Sequence, residues 1–253
     1  MARTVNVSSQ QPKLKPWMVE AIRFATYLDA AANAIRKSRS GEKTSLKLLA
    51  SGARLLEDCT FQDLQIEQVA SDAGTAKGTF YIYFESKDIF LQDLARRYCQ
   101  FEQQTLPVMN SQESTFLDTC RWVAWYERTF AANAGIIRCI VQMGETVETM
   151  RTLWHERNER VTARILNDLL TRLEPKSGDL HMVRLAVRTA GGMMDQSLFN
   201  RYRIQTGTGL QEKEDPEFLI VFHAILIYRA IVGENPPREV NPEMLDAIAL
   251  IPR

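Results

Sequence analysis

Side chains that could bind another polar molecule are concentrated between residues 77 and 83. Lys77, Thr79, Tyr81 and Tyr83 place one ammonium group and three hydroxyl groups in this short run. Lysine can reach guanine acceptors or phosphate oxygens, and threonine and tyrosine can contact phosphate. The threonine methyl can also pack on a thymine methyl, and Gly78 permits the close approach of another backbone. This combination indicates a surface that binds nucleic acid.

Two short helices are predicted to position this surface. The first has one apolar face, which is formed by Ile66, Val69, Ala70 and Ala73. Gly74 is suited to the left-handed conformation that ends a helix abruptly. The second helix begins near Lys77 and buries Phe80 and Phe84, which are four residues apart. Two short helices joined by a tight turn with a glycine are typical of a helix-turn-helix. The alternative is a helical hairpin without a role in DNA binding.

The run from Ala73 to Asp88 resembles the helix-turn-helix of the TetR family of transcriptional regulators. The spacing, the turn glycine, the aromatic pair and the Ser-Lys-Asp at residues 86–88 all agree with that family. Residues 48–56 resemble the family's first helix, and the whole resemblance covers about residues 44–104. It implies a regulator that binds operator DNA.

The resemblance also implies which residues contact DNA. Carried over by position, it assigns base or phosphate contacts to Thr75, Ala76, Lys77, Gly78, Thr79, Tyr81, Tyr83 and Lys87. Gln65 occupies the position at which the family usually has a Thr or Ser that caps the helix and touches phosphate. Glutamine is a weaker cap. This chain departs from the family pattern at two further positions, where Thr60 replaces a usual Gly and Ala76 a usual Ser.

A local excess of positive charge precedes the first helix of this domain. The whole chain has 31 basic and 31 acidic residues, so its overall charge says nothing about partners. Residues 36–54 nevertheless contain six cations against one acid, a local net charge of +5. A solvated linker is the alternative. Beside a helix-turn-helix, the stretch 36–47 with Arg39 and Lys43 is predicted to run along phosphates or reach into the minor groove.

Helical periodicity continues through the rest of the chain, without an alternating strand, and predicts an all-α fold. We divide it into an N-terminal extension (1–43) with an extra helix near 17–37 and a basic arm, a three-helix helix-turn-helix DNA-binding domain (44–104) and a larger helical effector-binding and dimerisation domain (105–253). The extra helix could pack on the core, on a partner or on DNA. The other predicted helices are 44–58, 66–73, 77–83, 87–103, 114–131, 135–143, 146–173, 181–203 and 216–232.

The C-terminal domain is rich in aromatic and sulfur-containing side chains that could line a largely apolar pocket for a small-molecule effector. The candidates are Trp122, Trp125, Tyr126, Met143, Trp154, His155, Met193 and Met194. Plain core packing is the alternative for each. The last two long helices from each of two subunits could form a four-helix homodimer interface, unless these faces pack only within one chain.

Signatures of other protein classes are missing. Four widely spaced cysteines indicate reduced, mostly buried thiols. The three histidines lie far apart without an HExxH motif, and Gly41 to Thr44 lacks the features of a phosphate loop. We therefore predict no metal, no cofactor and no enzymatic activity. Without an N-terminal apolar stretch or a run of about 18 apolar residues, the sequence predicts no signal peptide and no membrane span, and a cytoplasmic location.

These inferences favour a ligand-responsive regulator, which in the TetR family is more often a repressor than an activator. A small molecule in the C-terminal domain would favour a conformation that no longer fits the operator. The first rival is a DNA-binding protein without an effector, for which no cavity is expected near Trp122 and Trp154. The second rival is an all-α enzyme that carries the motif.

Overall fold

The computed structural model describes residues 19–35, 40–109, 113–172, 180–202 and 215–237. Within these residues the secondary structure consists of helices only, which confirms the predicted all-α class. In chain order they are α1 (Phe24–Ala34), α2 (Ser40–Leu55), α3 (Ile66–Asp72), α4 (Lys77–Tyr83), α5 (Lys87–Thr105), α6 (Thr115–Ala132), α7 (Ala134–Gly144), α8 (Glu148–Leu170), α9 (Leu180–Arg201) and α10 (Pro216–Val232).

The largest differences from the predicted helices are at the N-terminal side. The extra helix begins at Phe24, later than predicted; residue 17 lies outside the described residues, residues 19–23 are not helical, and Arg23 is extended. The Phe24 N–H donates to Asn133 Oδ1 at 2.7 Å, and Asn133 Nδ2 donates to the Ile22 carbonyl at 3.0 Å. Helix α2 begins at Ser40, four residues earlier than predicted, and Thr44 Oγ1 donates back to the Ser40 carbonyl.

The extra helix α1 packs on the core of its own chain, which answers the question that the sequence left open. The Phe24 ring lies 5.4 Å from Tyr98 and 5.3 Å from Phe101, both on α5. Arg54 of α2 donates to Asp29 of α1 at 2.6 Å. Helix α1 therefore packs on α5 and is joined to α2 by an ion pair.

Three aromatic rings form the centre of the DNA-binding domain. Phe80, Phe84 and Phe90 have centroid distances of 5.0–5.4 Å, and each ring is buried. Gly52 of α2 makes room for them, since a Cβ there would lie 2.4 Å from Phe90 Cζ. Ser51 Oγ donates to the Val69 carbonyl and joins α2 to α3. This core holds the short helices α3 and α4 in place.

Helix α7 connects the C-terminal domain to the end of α2. Arg138 Nη2 donates to the carbonyls of Leu56 at 2.7 Å and Cys59 at 3.2 Å. Gly135 lies so close that a Cβ would be 2.3 Å from the Leu56 oxygen. One hydrophobic core is therefore continuous from α1 to the C-terminal helices.

The cysteines agree with the prediction of reduced and mostly buried thiols. All four are free, and only Cys59 is partly exposed. Burial raises the pKa of Cys99, Cys120 and Cys139 to about 12, so these thiols stay protonated and unreactive. Among the described helices, none combines the length and the apolar character needed to cross a membrane.

Candidate nucleic-acid interface

The turn between α3 and α4 has the geometry that the glycine predicted. Gly74 adopts a φ of 70°, its N–H donates to the Ser71 carbonyl at 3.0 Å, and the Thr75 N–H donates to the Ala70 carbonyl at 2.9 Å. These two bonds form a Schellman motif, which satisfies the last carbonyls of α3. The chain then enters α4 after only two further residues, Thr75 and Ala76. The arrangement is a helix-turn-helix.

Most of the predicted contact residues lie on the outward side of α4 or next to it. Ala76, Lys77, Gly78 and Tyr81 are exposed, whereas Thr75, Thr79 and Tyr83 are half-buried. A Cβ at Gly78 would meet no heavy atom within 4 Å, so the backbone is open on this side. The outward face of α4 can therefore approach another molecule closely.

Lys77 is engaged in the free protein. Its Nζ forms an ion pair with Glu67 of α3, and both side chains are more than half exposed. The hydrogen bond raises the pKa of Lys77 and lowers the pKa of Glu67. Because exposed pairs of this kind contribute little free energy, Lys77 remains able to exchange Glu67 for a phosphate.

Lys87 has a structural role that the sequence did not reveal. Its Nζ donates to the carbonyls of Gln62 at 2.9 Å and Leu64 at 3.2 Å, in the loop before α3. Gln65 follows that loop as the N-cap of α3, and its side chain makes no capping hydrogen bond, as expected for glutamine. The phosphate contacts of Lys87 and Gln65 stay predictions.

The two predicted residues of the basic arm have different positions. Arg39 lies outside the described residues, and Lys43 is half-buried in the first turn of α2. That turn adjoins α4, since a Cβ at Gly41 would lie 3.5 Å from Tyr83 Oη. The start of α2 and the end of α4 thus belong to one surface.

One residue of this surface was missed. Ile82 is 77% exposed on α4, beside the polar residues that the sequence predicted for this face. A helical wheel places Ile82 opposite Phe80 and Phe84, so the spacing of these two buried rings already predicts that Ile82 is exposed.

The predicted effector residues do not form one site. Trp122 and His155 line a cavity of about 160 Å³ between α6, α8 and α9. Trp125, Met143 and Met194 are buried core residues that do not line this cavity, and Met193 is partly exposed on α9. Core packing keeps Trp125, Met143 and Met194 out of the cavity wall, and Met193 lies on the solvent-exposed side of α9.

Tyr126 and Trp154 contact a buried charge that the sequence argument also missed. Both rings lie against the Arg157 guanidinium, at 5.1 and 4.7 Å. Arg157 makes two hydrogen bonds to Glu102, at 2.8 and 2.7 Å, and both charged side chains are about 2% exposed. Glu102 lies four residues after Tyr98, on the buried face of α5. This helical spacing is the only local sequence feature that predicts the burial of Glu102.

Asp195 completes this network at the cavity wall. It accepts a hydrogen bond from Tyr126 Oη and has no ion pair within the described part of the chain. Burial raises the pKa of the Asp195 carboxyl despite the nearby Arg157. Burial would lower the pKa of Arg157, but the Glu102 carboxylate and the other neighbours raise it, so the guanidinium stays charged. The ion pair thus connects the cavity wall to α5.

The all-α fold and the helix-turn-helix with its open outward face define the class of helix-turn-helix regulators. Residues 48–94 match the family model of bacterial regulatory proteins of the tetR family. The chain is 28% identical over 121 residues to the HTH-type transcriptional regulator EthR of Mycobacterium tuberculosis, covering 46% of this chain and 55% of EthR. It is 31% identical over 97 residues to the HTH-type transcriptional repressor NemR of Escherichia coli, covering 37% and 48%.

Two solved structures share the fold. A TetR-family regulator from Streptomyces coelicolor matches with a TM-score of 0.60 and 15% identity, covering 82% of this chain and 87% of its own. One from Mesorhizobium loti matches with a TM-score of 0.59 and 16% identity, covering 76% and 96%. The chain therefore carries the DNA-binding domain of the TetR family of transcriptional regulators, as the resemblance indicated. Its matches span about half the length of the curated relatives.

The internal bonds of Lys87 lead to a prediction about stability. Lys87→Met removes two hydrogen bonds from a charged donor, so the free energy of unfolding should fall by about 1–2 kcal/mol in the absence of DNA. Urea unfolding followed by circular dichroism measures this. The matched control, Lys77→Met, removes only an exposed pair and should unfold at nearly the wild-type urea concentration. Equal midpoints for both variants would show that Lys87 does not hold the loop.

Proposed function

We propose that this TetR-family regulator binds double-stranded operator DNA as a homodimer, represses transcription and is released by a small-molecule effector. The observation that carries DNA binding is the exposed outward face of α4, held on a helix-turn-helix. The relative NemR is named a transcriptional repressor, which supports repression rather than activation. Action on genomic DNA agrees with the predicted cytoplasmic location.

Helix α4 is proposed to enter the major groove. Its backbone at Gly78 is open, and the side chains of Lys77 and Tyr81 stand beside it. A single helix-turn-helix makes few contacts, whereas a two-fold dimer reads two half-sites about 34–36 Å apart. A roughly palindromic operator follows from this geometry.

Gly78 provides a test of DNA binding that separates affinity from stability. Gly78→Ala adds a methyl group to the face that approaches DNA, but meets nothing in the free protein. We expect at least about tenfold weaker binding, the size of one lost base contact. Stability should stay equal or rise by about 0.5–1 kcal/mol, because alanine is the better helix former.

The measurement is fluorescence anisotropy with a genomic fragment that the wild-type protein selects. Gly191→Ala is the control, since Gly191 is a helical glycine with equally open surroundings, far from α4. It should bind the fragment like the wild type. Unchanged affinity of Gly78→Ala would contradict the assigned interface, and the failure to select any fragment would contradict DNA binding.

Apolar faces of α9 and α10 support the proposed homodimer. Leu185 and Met193 on α9 are 47% and 39% exposed, and Phe218 on α10 is 46% exposed. Phe218 stacks on Phe222 one turn later, with a centroid distance of 6.2 Å. Two such helices from each of two subunits could bury these side chains in a four-helix interface.

A negative charge at Phe218 should break the proposed homodimer. Phe218→Glu would place a carboxylate inside the interface, where an unpaired charge is costly, so the variant should sediment as a monomer at concentrations at which the wild type is a dimer. Ile89→Glu is the control, because Ile89 is 47% exposed on α5. It should leave the dimer intact. Identical sedimentation of the wild type and Phe218→Glu would exclude this interface.

The cavity beside Trp122 supports an effector site. Trp122, Val187 and Gly191 are shared between this cavity and an adjoining apolar cleft that reaches Ile227 and Ile231 of α10. The cleft measures only about 20 Å³, so its side chains would have to move for an apolar ligand group to enter it while polar groups contact Asp195 or His155. The rival without an effector expects no cavity here, so this observation favours the ligand-responsive regulator. The regulator names of the relatives likewise favour it over an enzyme.

The Glu102–Arg157 ion pair offers a route from this cavity to DNA. Arg157 lines the cavity, and its partner Glu102 lies on α5. The same helix carries Phe90, against which Phe80 of α4 packs. A ligand that binds one position of Arg157 better than another would therefore bias the position of α4.

Filling the cavity should uncouple the ligand from DNA. Gly191 lines the cavity, and a Cβ there meets no heavy atom within 4 Å, so Gly191→Leu can occupy the space without a backbone clash. We expect wild-type operator affinity but no release by metabolite fractions that release the wild-type protein. Anisotropy with added fractions measures this, with Gly191→Ala as the smaller control. Normal release of Gly191→Leu would show that the effector binds elsewhere.

A further inference from the structure

Helix α4 exposes an apolar side chain near its C-terminal end. Ile82 is 77% exposed, more than any other large hydrophobic residue in the described ranges. An isolated exposed hydrophobic residue is common on protein surfaces. This one, however, lies on α4, the helix whose outward face is proposed to meet DNA.

Helix geometry directs Ile82 away from the domain. Successive side chains rotate by about 100° around an α-helix, so Ile82 lies opposite the midpoint between Phe80 and Phe84. Both phenylalanines are buried in the aromatic core. Ile82 therefore occupies the crest of α4. One turn earlier on the same crest is Gly78, which has no side chain and open surroundings.

Polar side chains flank this crest on both sides. By the same rotation, Tyr81 stands on one flank of α4, with Lys77 further back on that side towards Glu67 of α3, and Thr79 and Tyr83 stand on the other flank. The layout fits the major groove, whose walls are sugar-phosphate backbones and whose floor consists of base edges. Polar flanks suit the walls, where contacts position the protein, and the crest faces the floor, where sequence is read.

An aliphatic side chain reads only one feature of that floor. Isoleucine has no donor or acceptor, and the C5-methyl of thymine is the apolar group that the major groove presents. We propose that Ile82 is a specificity-determining residue that packs on a thymine methyl in each operator half-site. This inference rests on the proposed binding of α4 to DNA.

Replacement of thymine by uracil tests the contact, because it removes only the C5-methyl. Each thymine of a selected operator is replaced in turn, symmetrically in both half-sites, and affinity is measured by anisotropy. At one position per half-site, wild-type affinity should fall roughly fourfold per half-site, the size expected for one buried carbon group. Ile82→Ala should bind the thymine and uracil operators equally well.

Two control variants show whether the sensitivity to uracil depends on the side chain at position 82. Ile89→Ala removes the same side chain from an exposed position on α5 and should keep the wild-type sensitivity to uracil. Ile82→Val, which keeps the branched shape, should keep part of it. Because Ile82 is exposed, each variant should retain the wild-type circular dichroism spectrum.

The inference is overturned if uracil has no effect at any position, or if Ile82→Ala keeps the full sensitivity, as it would where the methyl acts through DNA shape. In both cases the protein still binds its operator, so only the role of Ile82 fails. A protein that selects no DNA fragment overturns the proposed function itself, and this inference with it.

Discussion

The ion pair between Glu102 and Arg157 is the constraint on which the arrangement of the two domains depends. Both side chains are buried, and two hydrogen bonds of 2.7 and 2.8 Å join them across 55 residues of sequence. Removal of one partner would leave the other charge unpaired inside the protein, at a cost of about 3–5 kcal/mol. Helix α5 therefore cannot slide along α8 without breaking both hydrogen bonds together.

This constraint reaches the DNA-binding surface because α5 contacts both α8 of the C-terminal domain and α4. Near its beginning, Phe90 packs between Gly52 and the aromatic residues of α4. Near its end, Phe101 packs on Phe24 of α1. A helix as short as α4 is not stable alone, so its position is set by these packing contacts. Through α5, the cavity residue Arg157 and the aromatic core that holds α4 are therefore parts of one packed arrangement.

Helix α1 adds a second connection between the domains. It is joined to α2 through Arg54 and Asp29, and to the end of α6 through the hydrogen bonds of Asn133. The sequence showed that a helix was present but placed its start too early, because it could not show that Asn133 holds the preceding segment extended. Such a contact between residues 109 positions apart has no local sequence signal.

By itself, the sequence determined the all-α class and the helix-turn-helix, since Gly74 and the spacing of Phe80 and Phe84 act through local backbone preference and helical periodicity. Tertiary structure alone decided which charges pair and which side chains face a cavity. In the folded chain Lys87 donates to two backbone carbonyls, Trp125 and Met143 are buried in the core, and Ile82 is exposed. These outcomes depend on segments that meet only after folding, and burial and hydrogen-bond partners are properties of that packing.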